Sequence, residues 1–299
     1  MKRRTIGGGS AEYPLLLKEI PDPPRQLEVA GRRMEQGPAV AVVGSRRASP
    51  YGIEIAEWMG AELAKAGVTI VSGLAFGIDA AAHRGALAAG GSTVAVMGCG
   101  VDVCYPAGNR RLYAQIASEG TLVSEYPDGT VPMPYHFPIR NRIIAGMTLG
   151  VLIVEAKVKG GAMITARLAA DFGREVFAVP GMVHSSISQG PHSLIREGAR
   201  LVTSPEDVLE DLGLQRTEEA GERVEDLGLD EQRVLDALRA EPILLDLVAS
   251  RARMPASTVA AVLLGLEMRG LVTRMPGGRY ARAVKASGVA ELVRQSSRC

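Results

Sequence analysis

The residues best suited to chemistry are glycines followed by polar or basic side chains, each group closing a short apolar run. Gly44-Ser45-Arg46-Arg47 follows the run at 39–43. A glycine there lets backbone approach a ligand, Ser45 and the amides behind it face an anion at a helix start, and the Arg46 guanidinium suits bidentate pairing with phosphate. The second run ends in Ser72-Gly73-Leu74-Ala75-Phe76-Gly77-Ile78-Asp79, with His83 one turn on. Asp79 reads as a cap or a partner of the helix dipole. His83, with no serine or cysteine nucleophile placed beside it, reads as structural. The third run ends in Gly98-Cys99-Gly100-Val101-Asp102, with Asn109-Arg110-Arg111 beyond it, so Gly98, Gly100 and Arg110 extend an anion-binding rim.

A denser cluster follows at His136-Phe137-Pro138-Ile139-Arg140-Asn141-Arg142. Arg140, Asn141 and Arg142 beside Phe137 suit a groove that tracks a phosphate backbone and stacks bases. The alternative places Phe137 in the core and pairs the arginines with Glu125 and Glu155. Lys159-Gly160-Gly161-Ala162 then precedes a helix carrying Thr165 and Arg167, a further N-terminus suited to phosphate. No Walker lysine motif is present, and no G-x-G-x-x-G follows the first strand. No pair of carboxylates has room for acid–base work. Phosphate-friendly turns without a catalytic constellation fit a long polyanion rather than a reacting small molecule, with no catalysis, cofactor or metal expected. If Arg46, Arg110, Arg140 and Arg142 neutralise about four phosphates, log affinity falls against log salt with a slope near −3, roughly −0.7 per phosphate.

Such turns need a scaffold that brings strand ends together. The runs at 39–43, 68–71, 93–97, 121–124, 149–154, 175–179 and 200–202 are apolar throughout, as strands covered on both faces are. Helical stretches at 53–66, 78–89 and 109–118 alternate with them. This rhythm predicts a Rossmann-like, doubly wound, mostly parallel α/β sheet over residues 37–212, with its ligand at the carboxyl ends where strand order reverses. Residues 1–36, polar and containing Pro21, Pro23 and Pro24, read as an extended lead-in. Residues 204–236 carry 12 acidic against 3 basic side chains, and 213–227 read as an acidic linker. Residues 251–285 carry 7 basic side chains against Glu267 alone, the mark of a separate basic module. Helices at 230–238, 243–250 and 255–269, then a hairpin at 271–280, describe a winged helix over 228–284. Residues 285–299 form a tail, either a short helix or loose.

With 46% apolar and 22% charged residues, the chain is ordinary for a globular protein. A net charge of +1 gives no general attraction to nucleic acid, so any such affinity must be local. Cys99, Cys104 and Cys299 make neither a disulfide framework nor a metal-ligand spacing. Met1-Lys2-Arg3-Arg4 leads into no apolar signal region, and no run has transmembrane length. The expected location is the cytoplasm.

These motifs resemble the DNA-processing protein A family (DprA, also called Smf) from Tyr13-Pro14 to Val202. The landmarks are Val43-Gly44-Ser45-Arg46, the Ser72 to Asp79 motif, Phe137-Pro138-Ile139-Arg140-Asn141-Arg142-Ile143-Ile144 and Phe177-Ala178-Val179-Pro180-Gly181. The resemblance implies a homodimer that binds single-stranded DNA, helps load the RecA recombinase in natural transformation, and catalyses nothing. It places Arg46 at a DNA-contacting arginine, Arg110 at a DNA-facing basic position, and Phe137 near a base-contacting aromatic. Two departures stand out. Met133-Pro134-Tyr135 occupies the place where members often carry a basic residue, and Gly160-Gly161-Ala162 replaces a Ser-Gly-Ser turn, shifting reliance to backbone N–H groups. The helical module that precedes the core in many members has no counterpart in the residues before Tyr13.

Two other readings stay open. One is a nucleotide-processing hydrolase similar to the Lonely Guy phosphoribohydrolases, although residues 159–166 lack the glutamate of that motif. The other is a winged-helix transcription regulator, although the expected recognition helix offers few side chains able to read base edges.

Overall fold

A computed structural model describes residues 3–34, 36–214, 228–238, 243–268, 271–275 and 279–282. The chain divides into two compact units, Met1–Ala220 and Gly221–Cys299. In the first, the strands are β1 (Arg3–Gly7), β2 (Gln26–Gly31), β3 (Ala39–Val43), β4 (Thr69–Ser72), β5 (Thr93–Met97), β6 (Thr121–Ser124), β7 (Gly150–Ile153), β8 (Glu175–Ala178) and β9 (Arg200–Leu201). Its helices are α1 (Pro50–Lys65), α2 (Ile78–Ala88), α3 (Arg110–Glu119), α4 (His136–Gly146), α5 (Gly161–Asp171), α6 (Gln189–Arg196) and α7 (Pro205–Asp211).

The nine strands form one sheet in the order β1-β2-β6-β5-β4-β3-β7-β8-β9. From β6 to β9 across the sheet every neighbouring pair is parallel. The chain winds outward from β3 to β6, then crosses to the other side of β3 to continue with β7. This reversal is the point at which a doubly wound sheet opens a crevice for its ligand. Strand β3 shows why its sequence is apolar at every position. Val40 and Val42 pack among side chains of α1 and α2, while Ala39, Ala41 and Val43 pack with Ile143, Ile144, Met163 and Ala166 of α4 and α5. Both faces are covered, so no polar alternation survives.

The described residues of the first 36 are not an extended lead-in. β1 and β2 form an antiparallel pair, and β2 adds antiparallel to β6, lengthening the sheet. Ile6, Tyr13, Leu17, Ile20, Leu27 and Val29 are buried with α4 in the same core cluster. The two-residue alternation of Leu27 and Val29 against Gln26 and Glu28 carried the strand signal, which the prolines beside it obscured. Glu12 fixes the segment: its buried carboxylate takes hydrogen bonds from Arg4 and from the Met34 amide at 3.0 Å. Arg4 and Met34 hold that carboxyl below the usual range.

α4 is also a helix where sequence marked only a binding stretch. Its proline, Pro138, is the third helical residue, where the amide has no partner inside the helix in any case. α7 carries a capping box, with Ser204 and Asp207 each bonding the other's backbone amide.

The second unit contains α8 (Leu229–Ala237), β10 (Ile243–Leu244), α9 (Leu245–Ala252), α10 (Ala256–Met268), β11 (Val272–Met275) and β12 (Arg279–Arg282). Its small antiparallel sheet, ordered β10-β12-β11, accompanies three helices around Val234, Val248, Val259, Leu263 and Leu266. This is a winged helix. Among the described residues no single helix is long and apolar enough to cross a membrane; α9 and α10 meet the criterion only as a pair bent by 106°. Residues 215–227 of the expected linker and the expected tail lie outside the described residues.

Because the N-terminal segment belongs to the core, Leu17→Ala is expected to destabilise the first unit by about 2–5 kcal/mol. A drop in the chemical-denaturation midpoint measures this; an unchanged midpoint would mean the segment packs independently.

Candidate nucleic-acid interface

The carboxyl ends of β3, β4, β5 and β7 converge on a groove of about 600 Å³ at the switch point. Gly44 begins it, and the reason for glycine is packing. A Cβ there would fall 2.6 Å from Ile78 Cγ1 and 2.7 Å from the Glu155 carbonyl oxygen. The Ser45 amide bonds that same carbonyl at 2.6 Å, joining the ends of β3 and β7. The following helix start is not open to phosphate. Ser49 caps α1, and the buried Glu155 carboxylate accepts the Ser49 amide at 2.9 Å and its hydroxyl at 2.5 Å. A fixed negative charge therefore occupies that N-terminus. What the loop offers the groove is Ser45, Arg46 and Arg47.

Arg140 is not a surface cation. It is 4% exposed, and its Nη1 donates to the Gly73 carbonyl at 3.0 Å and to the Val96 carbonyl, tying the ends of β4 and β5 to α4. Gly73 must be glycine because a Cβ would lie 2.5 Å from this guanidinium. Asp79, also buried, accepts the Gly73 amide at 3.1 Å, with the Ala75 and Gly44 amides turned toward it as well. Burial pushes Asp79 up, opposed by Arg140 and those amides. Burial also lowers Arg140 to about 10, still charged at neutral pH. Asp79 thus gathers the loops after β3 and β4, a larger role than capping α2.

Phe137 stands half-buried on the groove wall. The Arg46 guanidinium lies 5.4 Å from its ring centroid, a cation–π distance, and Tyr105 lies 5.4 Å away in a tilted contact. Gly98 leaves room for the Phe137 ring, which a Cβ would meet at 3.0 Å. Beside the groove a smaller pocket of about 180 Å³ is bounded by Phe76, Tyr105, Phe137, Gly73, Gly98 and Arg46. Sequence reasoning named Phe137 but not Phe76, which sits within the Ser72 to Asp79 motif, nor Tyr105, which lies eight residues past the end of β5. Exposed aromatic side chains at strand ends were the available signal.

The opposite wall is the start of α5. Gly160 occupies its N-cap without a side-chain cap. Its own amide bonds the Lys157 carbonyl at 2.8 Å and the Met163 amide bonds the Gly160 carbonyl at 3.1 Å, which leaves the Gly161 and Ala162 amides for the groove that these residues line with Thr165 and Lys157. Lys157 was also missed. Asn141 reaches across to the Gly161 carbonyl at 3.4 Å. The structure thus gathers Gly44, Ser45, Arg46, Phe137, Arg140, Asn141, Gly160, Gly161 and Thr165 around one groove, with Gly73 and Gly98 at the side pocket.

Three expected contributors lie elsewhere. Arg142 points away, bonding Glu125 at 2.9 Å and Asp22 at 3.2 Å, which secures α4 to the N-terminal segment. This matches the alternative in which that arginine pairs with Glu125. Gly100 sits in a loop turned from the groove, its amide on the Thr130 carbonyl at 2.9 Å. Arg110 is exposed at the start of α3 and lines neither cavity. His83 is fully buried, its Nδ1 2.7 Å from the Thr93 hydroxyl, and plays no part in the groove.

A doubly wound α/β unit with a crevice lined by glycines and basic side chains at its switch point, accompanied by a winged helix, defines the class. The chain belongs to the DNA recombination-mediator protein A family (DprA/Smf), which matches residues 4–213, and the DprA winged helix domain matches residues 218–278. Protein Smf of Escherichia coli (strain K12) is 42% identical over 294 residues, covering 95% of this chain and 78% of that protein. The X-ray structure of DNA processing protein A from Streptococcus pneumoniae superposes with a TM-score of 0.67 at 45% identity, over 70% of this chain and 74% of that one. DNA processing protein A from Helicobacter pylori, whose structure was determined to describe its single-stranded DNA binding mode, gives a TM-score of 0.64 at 30% identity, over 71% and 95%.

Two outcomes follow from the buried charges. Arg140→Met is expected to cost at least about 1–3 kcal/mol, since it leaves the Gly73 and Val96 carbonyls without their buried donor; a denaturation midpoint equal to the parent's would contradict the tie. Burial also lowers His83 to about 3 from its ordinary 6.5. The unfolded chain then takes up a proton that the folded one refuses as pH falls through that window, so stability is lost there. His83→Gln is expected to flatten stability against pH between about 6.5 and 3 by up to about one proton. Identical slopes for the two proteins would show that His83 titrates normally.

Proposed function

We propose that this chain binds single-stranded DNA in the groove at the switch point and performs no chemistry on it. The observation that carries the reading is the pairing of Arg46 with Phe137 directly opposite the uncapped start of α5. Phosphates are held by the α5 amides and by Arg46, Arg47 and Lys157, while bases stack on Phe137 and Tyr105. Every base has a π-face, so such binding is tolerant of sequence. The single carboxyl lining the groove, Asp79, is engaged by loop amides, which weighs against an acid–base hydrolase. Family membership supports the wider role: a cytoplasmic homodimer that processes incoming DNA and helps load the RecA recombinase in natural transformation.

The placement of the arginines changes the expected salt response. With Arg140 buried, Arg142 paired to carboxylates and Arg110 outside the groove, about three cations remain. The slope of log affinity against log salt is therefore expected near −2, at roughly −0.7 per phosphate. Arg46→Ala should weaken binding to oligo-dT and to mixed sequence alike and reduce that slope by about 0.7. A salt series of fluorescence titrations measures both; affinity unchanged by Arg46→Ala would remove this groove as the site.

A further inference from the structure

We propose that Tyr135, flanked by Met133 and Ile139, is a second base-stacking platform that continues the single strand's path beyond the groove. The inference rests on the reading of the groove given above and extends it.

Val131, Met133, Tyr135 and Ile139 are all exposed large apolar side chains within nine consecutive residues, and Tyr135 is 59% exposed. Pro134, Phe137 and Pro138, interleaved with them, line the groove itself. The apolar strip is thus continuous with the groove wall.

Exposed though it is, Tyr135 is backed on one side. Its ring meets His136 edge-on at 4.6 Å, and His136 stacks on Tyr126 at 4.1 Å. His136 in turn is buried, with Nδ1 3.0 Å from the Gly98 carbonyl. A ring braced in this way loses little freedom when a base settles on it.

Away from Phe137, over which Arg46 lies, the strip itself offers no cation to hold a phosphate. Arg140 is inside the fold and Arg142 is committed to Glu125 and Asp22. Residues 131–139 contain no lysine or arginine. A strand leaving the groove over this wall can be held only through its bases. The contact this strip offers is therefore a stacking one, and the occupant is a base of the bound strand.

The test compares Tyr135→Ala and Tyr135→Phe with the parent protein on two probes, oligo-dT and an abasic oligonucleotide of the same length, across a salt series. Tyr135→Ala is expected to weaken oligo-dT binding about fivefold or more, with the salt slope unchanged, the abasic probe unaffected, and Tyr135→Phe equal to the parent. Equal loss on both probes, or no loss on oligo-dT, would overturn the platform. So would an oligomeric state that Tyr135→Ala alters, since the occupant would then be another copy of the chain. Failure of the groove itself is distinguished by the parent protein, which would then bind neither probe.

Discussion

A buried guanidinium organises the strand ends of the first unit. Arg140 reaches from α4 to the carbonyls at the ends of β4 and β5, and its charge faces Asp79, which gathers the amides of the loops after β3 and β4. Taking these groups out of water is costly, and the arrangement persists because most of their hydrogen-bonding atoms find partners. Its product is a rigid floor from which Arg46, Phe137 and the start of α5 project. The groove can present polar groups to a ligand because its own loop carbonyls and carboxyls are already occupied.

The division of labour among charged groups follows from this floor. The chain is nearly neutral overall, so attraction for a polyanion has to be concentrated. Two arginines of the α4 motif serve the fold, one beneath the sheet ends and one against Glu125 and Asp22. Glu155 fills the start of α1, which leaves α5 as the helix whose amides open onto the groove. The binding surface is therefore made of few cations, a set of backbone dipoles and a large aromatic share.

Much of the scaffold was legible in the sequence. Runs such as Ala39–Val43 are apolar at every position because helices cover both faces, and glycine directly after β3, β4 and β5 signalled close backbone approach. What sequence could not resolve was direction. Arg46, Arg140 and Arg142 are chemically identical, and only the packing of α4 shows that the second faces inward and the third toward Glu125. The N-terminal strand pair was hidden for a different reason, since the prolines in the connection leading into β2 mask the alternation of Leu27 and Val29. Gly44 and Gly73 were correctly singled out, but the atoms that require them belong to Ile78, Glu155 and Arg140. Tyr105 and Lys157 were missed because each lies several residues past its strand end, in loops whose return to the groove no periodicity encodes.

The central claim is that a single strand lies across the carboxyl edge of the large sheet. Hydrogen–deuterium exchange of the full chain, with and without saturating oligo-dT, tests it most directly. The account requires slowed exchange at the amides of Arg46, Gly161 and Ala162, which bond no backbone carbonyl in the free chain, with the winged-helix amides unchanged. Protection confined to residues 228–282, or absent at the α5 start, would contradict it.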